Sequence, residues 1–191
     1  NSQIIMTLTS CLLLIFSVYI SMFSTLHYDE AYTYLYYCKN LLDFTENTLA
    51  NNHPLNSLLI FLSTYFFKFN DFMIRLPNII FLSIYLLFSI KIASNSKLKL
   101  LTYGLLTLYW YLIPVFFSQA RGYGIAAAII LIFLSEFIKP KKNKILLSIT
   151  ILFIATYAFL GLIPLILSVA IYYFAFEIKS PIRFIKKNIF V

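Results

Sequence analysis

Residues 4–26 read IIMTLTSCLLLIFSVYISMFSTL and contain no charged side chain. A helix needs about 20 predominantly apolar residues to cross the hydrocarbon core of a bilayer, and this stretch is long enough. It lacks the basic start and the small-residue cleavage site of a secretory signal peptide. We therefore interpret residues 4–26 as a retained transmembrane helix, and this segment decides the class of fold.

The composition of the whole chain supports the same class. Of 191 residues, 61% are hydrophobic and 12% are charged, whereas soluble domains have roughly 45–50% apolar and about 25% charged residues. This excludes a disordered chain, a nucleic-acid-binding domain and a disulfide-stapled secreted module. The two cysteines, Cys11 and Cys38, form no disulfide framework and no metal-binding spacing. The sequence therefore predicts a polytopic integral membrane protein.

Further apolar segments follow the first one along the chain. They indicate an all-α fold, a single transmembrane domain over residues 1–191 with roughly seven helices. Gly161 separates the last two segments, and with Pro164 it favours either a tight hairpin or a kink in a longer helix. The chain lacks an initiator methionine and stops after a basic stretch, so we expect it to be the N-terminal part of a longer protein. The segments cover residues 55–69, 77–92, 100–117, 125–138, 145–160 and 162–176.

The net charge of +8 indicates orientation in a membrane, because lysine-rich loops face the cytoplasm. Residues 91–99, 139–144 and 179–187 are such loops, whereas the first loop, residues 27–54, is acidic and predicted to be external. Residues 118–124 then fall on the external side as well. This topology needs an odd number of crossings between the first loop and residues 91–99. We therefore expect the short segment 55–69 to be re-entrant or to lie along the external interface, and the alternative is that the charge rule fails at this point of the chain.

Two polar clusters in the first external loop carry candidate chemistry. In HYDEAY, residues 27–32, Asp29 and Glu30 are adjacent and must point in different directions, so one can act as a general base while the other binds a structural partner. The alternative is an acidic pair that simply sits in water. In NNHPLN, residues 51–56, His53 can bind a phosphate or orient a carboxylate, or it is a solvated loop histidine.

Two more clusters lie near the start of later apolar segments. In DFMIRLPN, residues 71–78, Arg75 can bind a ligand, reach lipid headgroups or pair with Asp71 at helical spacing. In SQARGYG, residues 118–124, Arg121 is an arginine on the side where the charge pattern does not place one. Its neighbouring glycines allow close backbone approach, and a guanidinium matches phosphate oxygens.

In their order along the chain, these clusters resemble motifs of the GT-C superfamily of membrane glycosyltransferases. The likeness is to the glycosyltransferase family 39 branch, which includes dolichyl-phosphate-mannose protein mannosyltransferases and the aminoarabinose- and RgtA-type enzymes. The matching elements are Asp29-Glu30, His53-Pro54-Leu55, Arg75-Leu76-Pro77-Asn78 and Ser118-Gln119-Ala120-Arg121-Gly122-Tyr123.

The resemblance implies transfer of a sugar from a polyprenyl-phosphate carrier to a glycan, lipid or protein acceptor. Asp29 and Glu30 would form the catalytic group, in which Asp29 is the catalytic base or the carboxylate that orients the acceptor, and Glu30 supports the first loop. His53, Arg75 and Arg121 would bind the lipid phosphate or order the loop, and Tyr123 lies in the same substrate-binding group. It implies a bacterial inner membrane location, with the site facing the periplasm or exterior.

The sequence names no certain cofactor and leaves a divalent metal ion open. The expected partners are membrane lipids and the lipid-linked sugar, and nucleic acid is excluded. An alternative function is a transporter or flippase for a lipid-linked saccharide. Such a protein is expected to carry charged residues in the middle of its spans, where this sequence has almost none.

Overall fold

The computed structural model describes residues 1–40, 53–107, 116–137 and 145–172. These residues form helices and connecting turns, without a strand in any of the described ranges, so the predicted all-α class is confirmed for them. A single 3₁₀ turn, Leu160–Leu162, separates the last two helices. The helices are α1 (Ser2–Phe23), α2 (Tyr28–Tyr37), α3 (Pro54–Phe67), α4 (Asp71–Ser94), α5 (Lys99–Thr107), α6 (Tyr123–Phe137), α7 (Ile145–Ala158) and α8 (Ile163–Tyr172).

Among the described helices, two, α1 and α4, are long and apolar enough to cross a membrane. The apolar helix α3 is shorter, at 14 residues. In α1, the buried residues include Ser10, Ser17 and Ser21, whereas Leu8 and Leu12 are exposed. Small polar groups inside and large apolar groups outside are typical of a helix surrounded by lipid.

The start of α4 corrects the expected boundary of the third apolar segment. The sequence pattern starts this apolar segment at residue 77 and leaves residues 70–76 as a polar stretch outside it, but the helix begins at Asp71 and contains Arg75. The reason is the side chain of Asn70, whose Oδ1 accepts a hydrogen bond from the backbone N–H of Met73 at 2.9 Å. This N-cap satisfies one of the free N–H groups at the helix start, so the polar residues become its first turns.

Pro77 lies inside α4 without ending it. A proline at this position donates no hydrogen bond to the carbonyl of Met73, four residues earlier. The hydroxyl of Ser63 in α3 donates to that carbonyl at 2.6 Å. The bond replaces the missing partner and holds α3 against the first part of α4.

The packing places α4 at the centre of the bundle. It contacts α1, α3, α5 and α6, and α6 in turn packs against α7. One cluster of buried side chains joins α4 to α6 through Leu82, Leu86, Phe117 and Ala128. Asn56 of α3 is bonded to Asn78 and Ser63 to Met73, so α3 runs antiparallel to the first part of α4.

The two ends of the bundle differ in chemistry. At one end, called the site end here, the start of α2 meets the start of α4 and residue 120. At the other end, Lys91 and Glu136 form an ion pair of 3.1 Å. Residues 118–123 therefore share an end with Asp29 and Glu30. Two of the predicted cytoplasmic segments, 139–144 and 179–187, lie outside the described residues, as do residues 41–52 of the first loop.

Candidate functional site

A buried ion pair between α2 and α4 organises the site end. The Arg75 guanidinium donates from Nε to Oε1 of Glu30 at 2.8 Å and from Nη2 to Oε2 at 2.7 Å. Both side chains are fully buried. Glu30 also closes the first turn of α2, because its Oε2 accepts from the backbone N–H of His27 at 2.9 Å. The pair thus ties the loop after α1 to the start of α4.

The remaining N–H groups of Arg75 bind the end of α1. Nη1 donates to the carbonyl oxygens of Ser21 and Ser24 at 3.0 and 2.8 Å, and Nη2 donates to that of Thr25 at 2.8 Å. The last carbonyls of a helix have no partner within the helix, so Arg75 caps α1. Its carboxylate partner is Glu30. The ion pair with Asp71 that the helical spacing allowed does not form. This geometry favours ordering of the loop over direct phosphate binding by Arg75.

The same contacts determine the ionisation of Glu30. Burial raises the pKa of this carboxyl, but the hydrogen bonds from Arg75, His27 and Ala120, together with the charge of Arg75, outweigh it. The net result is a pKa below the ordinary value, so Glu30 is held as an anion. A carboxylate whose two oxygens already accept four hydrogen bonds supports the loop and is poorly placed to act on a substrate.

Asp29, the neighbouring carboxylate, points the other way. Its Oδ2 lies 3.0 Å from Nη2 of Arg121, and its side chain is 59% exposed whereas that of Arg121 is 36% exposed. Adjacent residues of a helix project about 100° apart. Glu30 therefore enters the core while Asp29 faces the open side of the bundle.

A polar pocket of about 100 Å³ surrounds this second pair. It is lined by Asp29, Tyr32, Thr33, His53, Arg121 and Tyr123. Two of its polar atoms, Nδ1 of His53 and Nε of Arg121, are buried and have no hydrogen-bond partner within the described residues. Burial lowers the pKa of His53, which favours a neutral imidazole. Unsatisfied buried polar groups are costly, so these two atoms mark a place where the packing leaves hydrogen-bonding capacity unused.

The backbone at Gly122 brings His53 and Arg121 together. Gly122 has φ +76°, and its carbonyl accepts the hydrogen bond of the Ala126 N–H at 3.0 Å, which starts α6. A Cβ atom at this position would lie 2.8 Å from the carbonyl oxygen of Ala158 and 3.0 Å from Cβ of His53. The glycines beside Arg121 predict close backbone approach, and at Gly122 the groups that approach are the Ala158 carbonyl and the His53 side chain.

An apolar groove of about 440 Å³ adjoins the polar pocket. Tyr123 belongs to the walls of both, and its ring contacts His53 edge-on at a centroid distance of 5.2 Å. The ring of Phe159 packs edge-on against the Tyr123 ring, with a centroid distance of 5.2 Å. A charged head and an apolar tail on one molecule would fit these two adjoining spaces. The groove is lined by Phe116, Tyr123, Ala126, Ala127, Ile130, Phe159 and Leu162.

Sequence reasoning did not single out four polar residues at the site end. Tyr32 and Thr33 line the polar pocket, and their spacing of three and four residues from Asp29 on one helix is the signal that would have found them. Asn56 and Asn78 are fully buried and bonded to each other. The sequence feature that would have identified them is an amide side chain in an otherwise apolar helix. A buried amide needs a hydrogen-bond partner, so two such residues are expected to pair.

The six residues predicted from the sequence form two groups at this end: a buried pair, Glu30 and Arg75, and a pocket with Asp29, His53, Arg121 and Tyr123. Asp29 and His53 are the side chains in this pocket that could bind a metal ion. The described ranges contain no group of three His, Cys, Asp or Glu side chains that could hold one. No protein-family model, no curated protein and no solved structure matches the chain.

Proposed function

We propose that the chain is a membrane glycosyltransferase that moves a sugar from a polyprenyl-phosphate carrier to a glycan, lipid or protein acceptor. The proposed architecture is a GT-C-like bundle of roughly seven transmembrane helices. Its place is the bacterial inner membrane, with the polar pocket on the periplasmic or external face. Support comes from the motif order in the sequence and from the way four distant motifs meet at one end.

The single observation that carries the proposal is the pairing of Asp29 with Arg121 in the polar pocket, 3.0 Å apart. One is a half-exposed carboxylate that can accept a proton. The other is a guanidinium that is 36% exposed and lines the same pocket, so its accessible N–H groups can bind an anion. A base and an anion-binding group side by side are what sugar transfer from a phosphate requires.

The proposed reaction uses each of these groups once. An acceptor hydroxyl attacks the anomeric carbon of the sugar while Asp29 removes the hydroxyl proton. The bond between the anomeric carbon and the phosphate oxygen breaks, its electron pair stays on that oxygen, and polyprenyl phosphate leaves. Attack opposite the leaving group inverts the anomeric centre. Arg121 stabilises the charge that grows on the phosphate, and a preorganised guanidinium does so better than a water-screened lysine.

A bound phosphate would compete with the Asp29–Arg121 ion pair. Nη2 of Arg121 lies 3.0 Å from Oδ2 of Asp29, and a phosphate bound to Arg121 would use the same N–H groups. The carboxylate is then free to accept a proton from the acceptor. Neutral His53 would offer an N–H group to the phosphate, since burial lowers its pKa.

The apolar groove is the proposed binding site for the hydrocarbon chain of the lipid carrier. Its side chains come from α6, from Phe116 and from the turn after α7, and its wall is continuous with the polar pocket at Tyr123. A polyprenyl chain is apolar and branched, so the side chains of Phe159, Ile130 and Leu162 suit it. The phosphate would then lie beside Arg121.

A transporter or flippase is the alternative function. Intramembrane ionisable residues are typical of substrate and ion pathways. In the two described helices that are long enough to span, α1 has no charged residue, and those of α4 are Asp71, Arg75 and Lys91, all within its first or last turns. This placement favours chemistry at one end over passage through the bundle.

The test is a transfer assay with the full-length chain in membranes. Membranes are incubated with radiolabelled polyprenyl-phosphate sugars, and release of free polyprenyl phosphate is measured together with labelled acceptor. We expect Asp29→Asn to lower transfer by about 10²–10⁴-fold with normal membrane insertion. Asp71→Asn is the matched control, because Asp71 is exposed at the start of α4. Full activity of Asp29→Asn would remove Asp29 as the base, and movement of intact carrier without bond cleavage would indicate the flippase.

A further inference from the structure

We infer that Asn56 is a positioning residue that holds the backbone of residue 120, and thereby places the Arg121 guanidinium beside Asp29. The statement about the backbone stands on contacts alone. The consequence for sugar transfer rests on the proposed function. Asn56 is not among the residues that line the polar pocket, and its bond to Ala120 acts on the loop that carries Arg121.

The main-chain groups of Ala120 are bonded on both sides. Its N–H donates to Oε1 of Glu30 at 2.9 Å, and its carbonyl accepts from Nδ2 of Asn56 at 2.9 Å. Glu30, Asn56 and Ala120 are all fully buried. The backbone of Ala120 is hydrogen-bonded to α2 through its N–H and to α3 through its carbonyl, so it has little freedom to move. We call these two bonds the Ala120 clamp.

A third residue fixes the direction of the Asn56 amide. Nδ2 of Asn78, in α4, donates to Oδ1 of Asn56 at 3.0 Å. Since that oxygen is the acceptor, the Nδ2 group of Asn56 must point at Ala120. The clamp therefore joins α2 and α3 to the loop, and the bond from Asn78 links it to α4.

Fixing Ala120 fixes the start of the Arg121 side chain. Gly122 follows Arg121, and its backbone is closely packed, because a Cβ there would lie 3.0 Å from Cβ of His53 and 2.8 Å from the carbonyl oxygen of Ala158. Arg121 thus lies between a residue hydrogen-bonded on both sides and a closely packed glycine. Its exposed ion pair with Asp29 is too weak to fix the side chain alone, because pairs of this kind contribute roughly 0–1 kcal/mol.

Hydrogen exchange tests the clamp without any assumption about activity. The full-length protein in nanodiscs is compared with Asn56→Ala and with Ser63→Ala. Ser63 is the matched control, because it lies on the same helix and its hydroxyl bonds to Met73, away from the loop. For peptides containing residues 119–122, we expect exchange to be roughly five- to tenfold faster in Asn56→Ala and unchanged in Ser63→Ala. Equal exchange in wild type and Asn56→Ala, or an equal increase in both variants, would overturn the inference.

A second variant covers the case in which Asn56→Ala does not fold. Asn78→Ala leaves Asn56 in place but removes the donor that orients its amide. It should give a smaller increase in exchange over residues 119–122, with the rest of α4 protected as in the wild type. Wild-type exchange of these residues in Asn78→Ala, in a folded protein, would count against the clamp.

Measurements of sugar transfer then distinguish a positioning role of Asn56 from an effect on the stability of the whole protein. Transfer is measured for Asn56→Ala, Arg121→Ala and the double variant. A positioning role predicts that Asn56→Ala lowers activity about tenfold in the wild-type background and has little further effect when Arg121 is already alanine. Multiplicative losses would show that Asn56 acts on folding alone. If wild-type membranes transfer no sugar, the proposed function fails, and the exchange measurement still decides whether the clamp exists.

Discussion

Glu30 and Arg75, 45 positions apart in the chain, meet in a two-point ion pair that is fully buried, with N···O distances of 2.8 and 2.7 Å. Around this pair the end of α1, the start of α2, the start of α4 and the Ala120 backbone are joined. The pocket that carries the candidate chemistry lies next to it, because Asp29 adjoins Glu30 and Arg121 adjoins Ala120 in the chain.

The first prediction concerns the stability conferred by this pair. Glu30→Ala leaves the Arg75 charge buried without a carboxylate, so we expect a loss of roughly 3–5 kcal/mol in the free energy of unfolding. Denaturation of the detergent-solubilised protein measures it. The control is Lys91→Ala, which breaks the exposed pair with Glu136 and should cost at most about 1 kcal/mol. Equal losses for the two variants would contradict the assignment.

The second prediction is the pH dependence that follows from the lowered pKa of Glu30. The unfolded chain takes up a proton at this carboxyl near the ordinary value of 4.5, and the folded chain does so only at lower pH. The stability that Glu30 contributes is therefore complete above that value and is lost as the pH falls through the folded pKa. Thermal unfolding from about pH 7 to about pH 3 should show the gap between wild type and Glu30→Gln closing below pH 4.5. A gap independent of pH would speak against it.

The third prediction addresses the guanidinium of Arg121. Arg121→Lys keeps a positive charge that can reach Asp29, but it loses the planar set of donors and the buried Nε that lacks a partner. We expect transfer activity to fall at least tenfold, with unfolding stability changed by no more than about 1 kcal/mol. The comparison of kcat and KM for the lipid donor measures it. A lysine variant with wild-type activity would mean that a point charge is sufficient.

The fourth prediction concerns Gly122. An alanine would have to adopt a left-handed conformation, at a cost of roughly 1–2 kcal/mol, and its Cβ would lie 2.8 Å from the Ala158 carbonyl oxygen. Gly122→Ala should therefore lower both stability and transfer. Gly104→Ala is the control, since nothing lies within 4 Å of the added Cβ and alanine favours the interior of a helix. Thermal unfolding of both variants decides the point, and a neutral Gly122→Ala would refute it.

Several features of the fold could be read from the sequence because they depend on local chemistry. The charge-free stretch at the start of the chain predicted the long helix α1, and its apolar side chains do lie on the outside. The opposite directions of Asp29 and Glu30 follow from helix geometry alone. The predicted start of α4 was wrong. The polar residues 70–76 suggested a break between helices, but the Asn70 side chain caps a helix that already begins at Asp71.

What the sequence determined by itself, therefore, is the helical class and the residue types available for chemistry, because hydropathy and residue chemistry are properties of the chain. Only the tertiary structure decided which charges pair. Arg75 had Asp71 within reach along its own helix, yet it binds Glu30. The end of α1 and the N–H of Ala120 supply further bonds there, and a buried charge needs all of them. Arg121, left at the open side, is the arginine that faces the pocket.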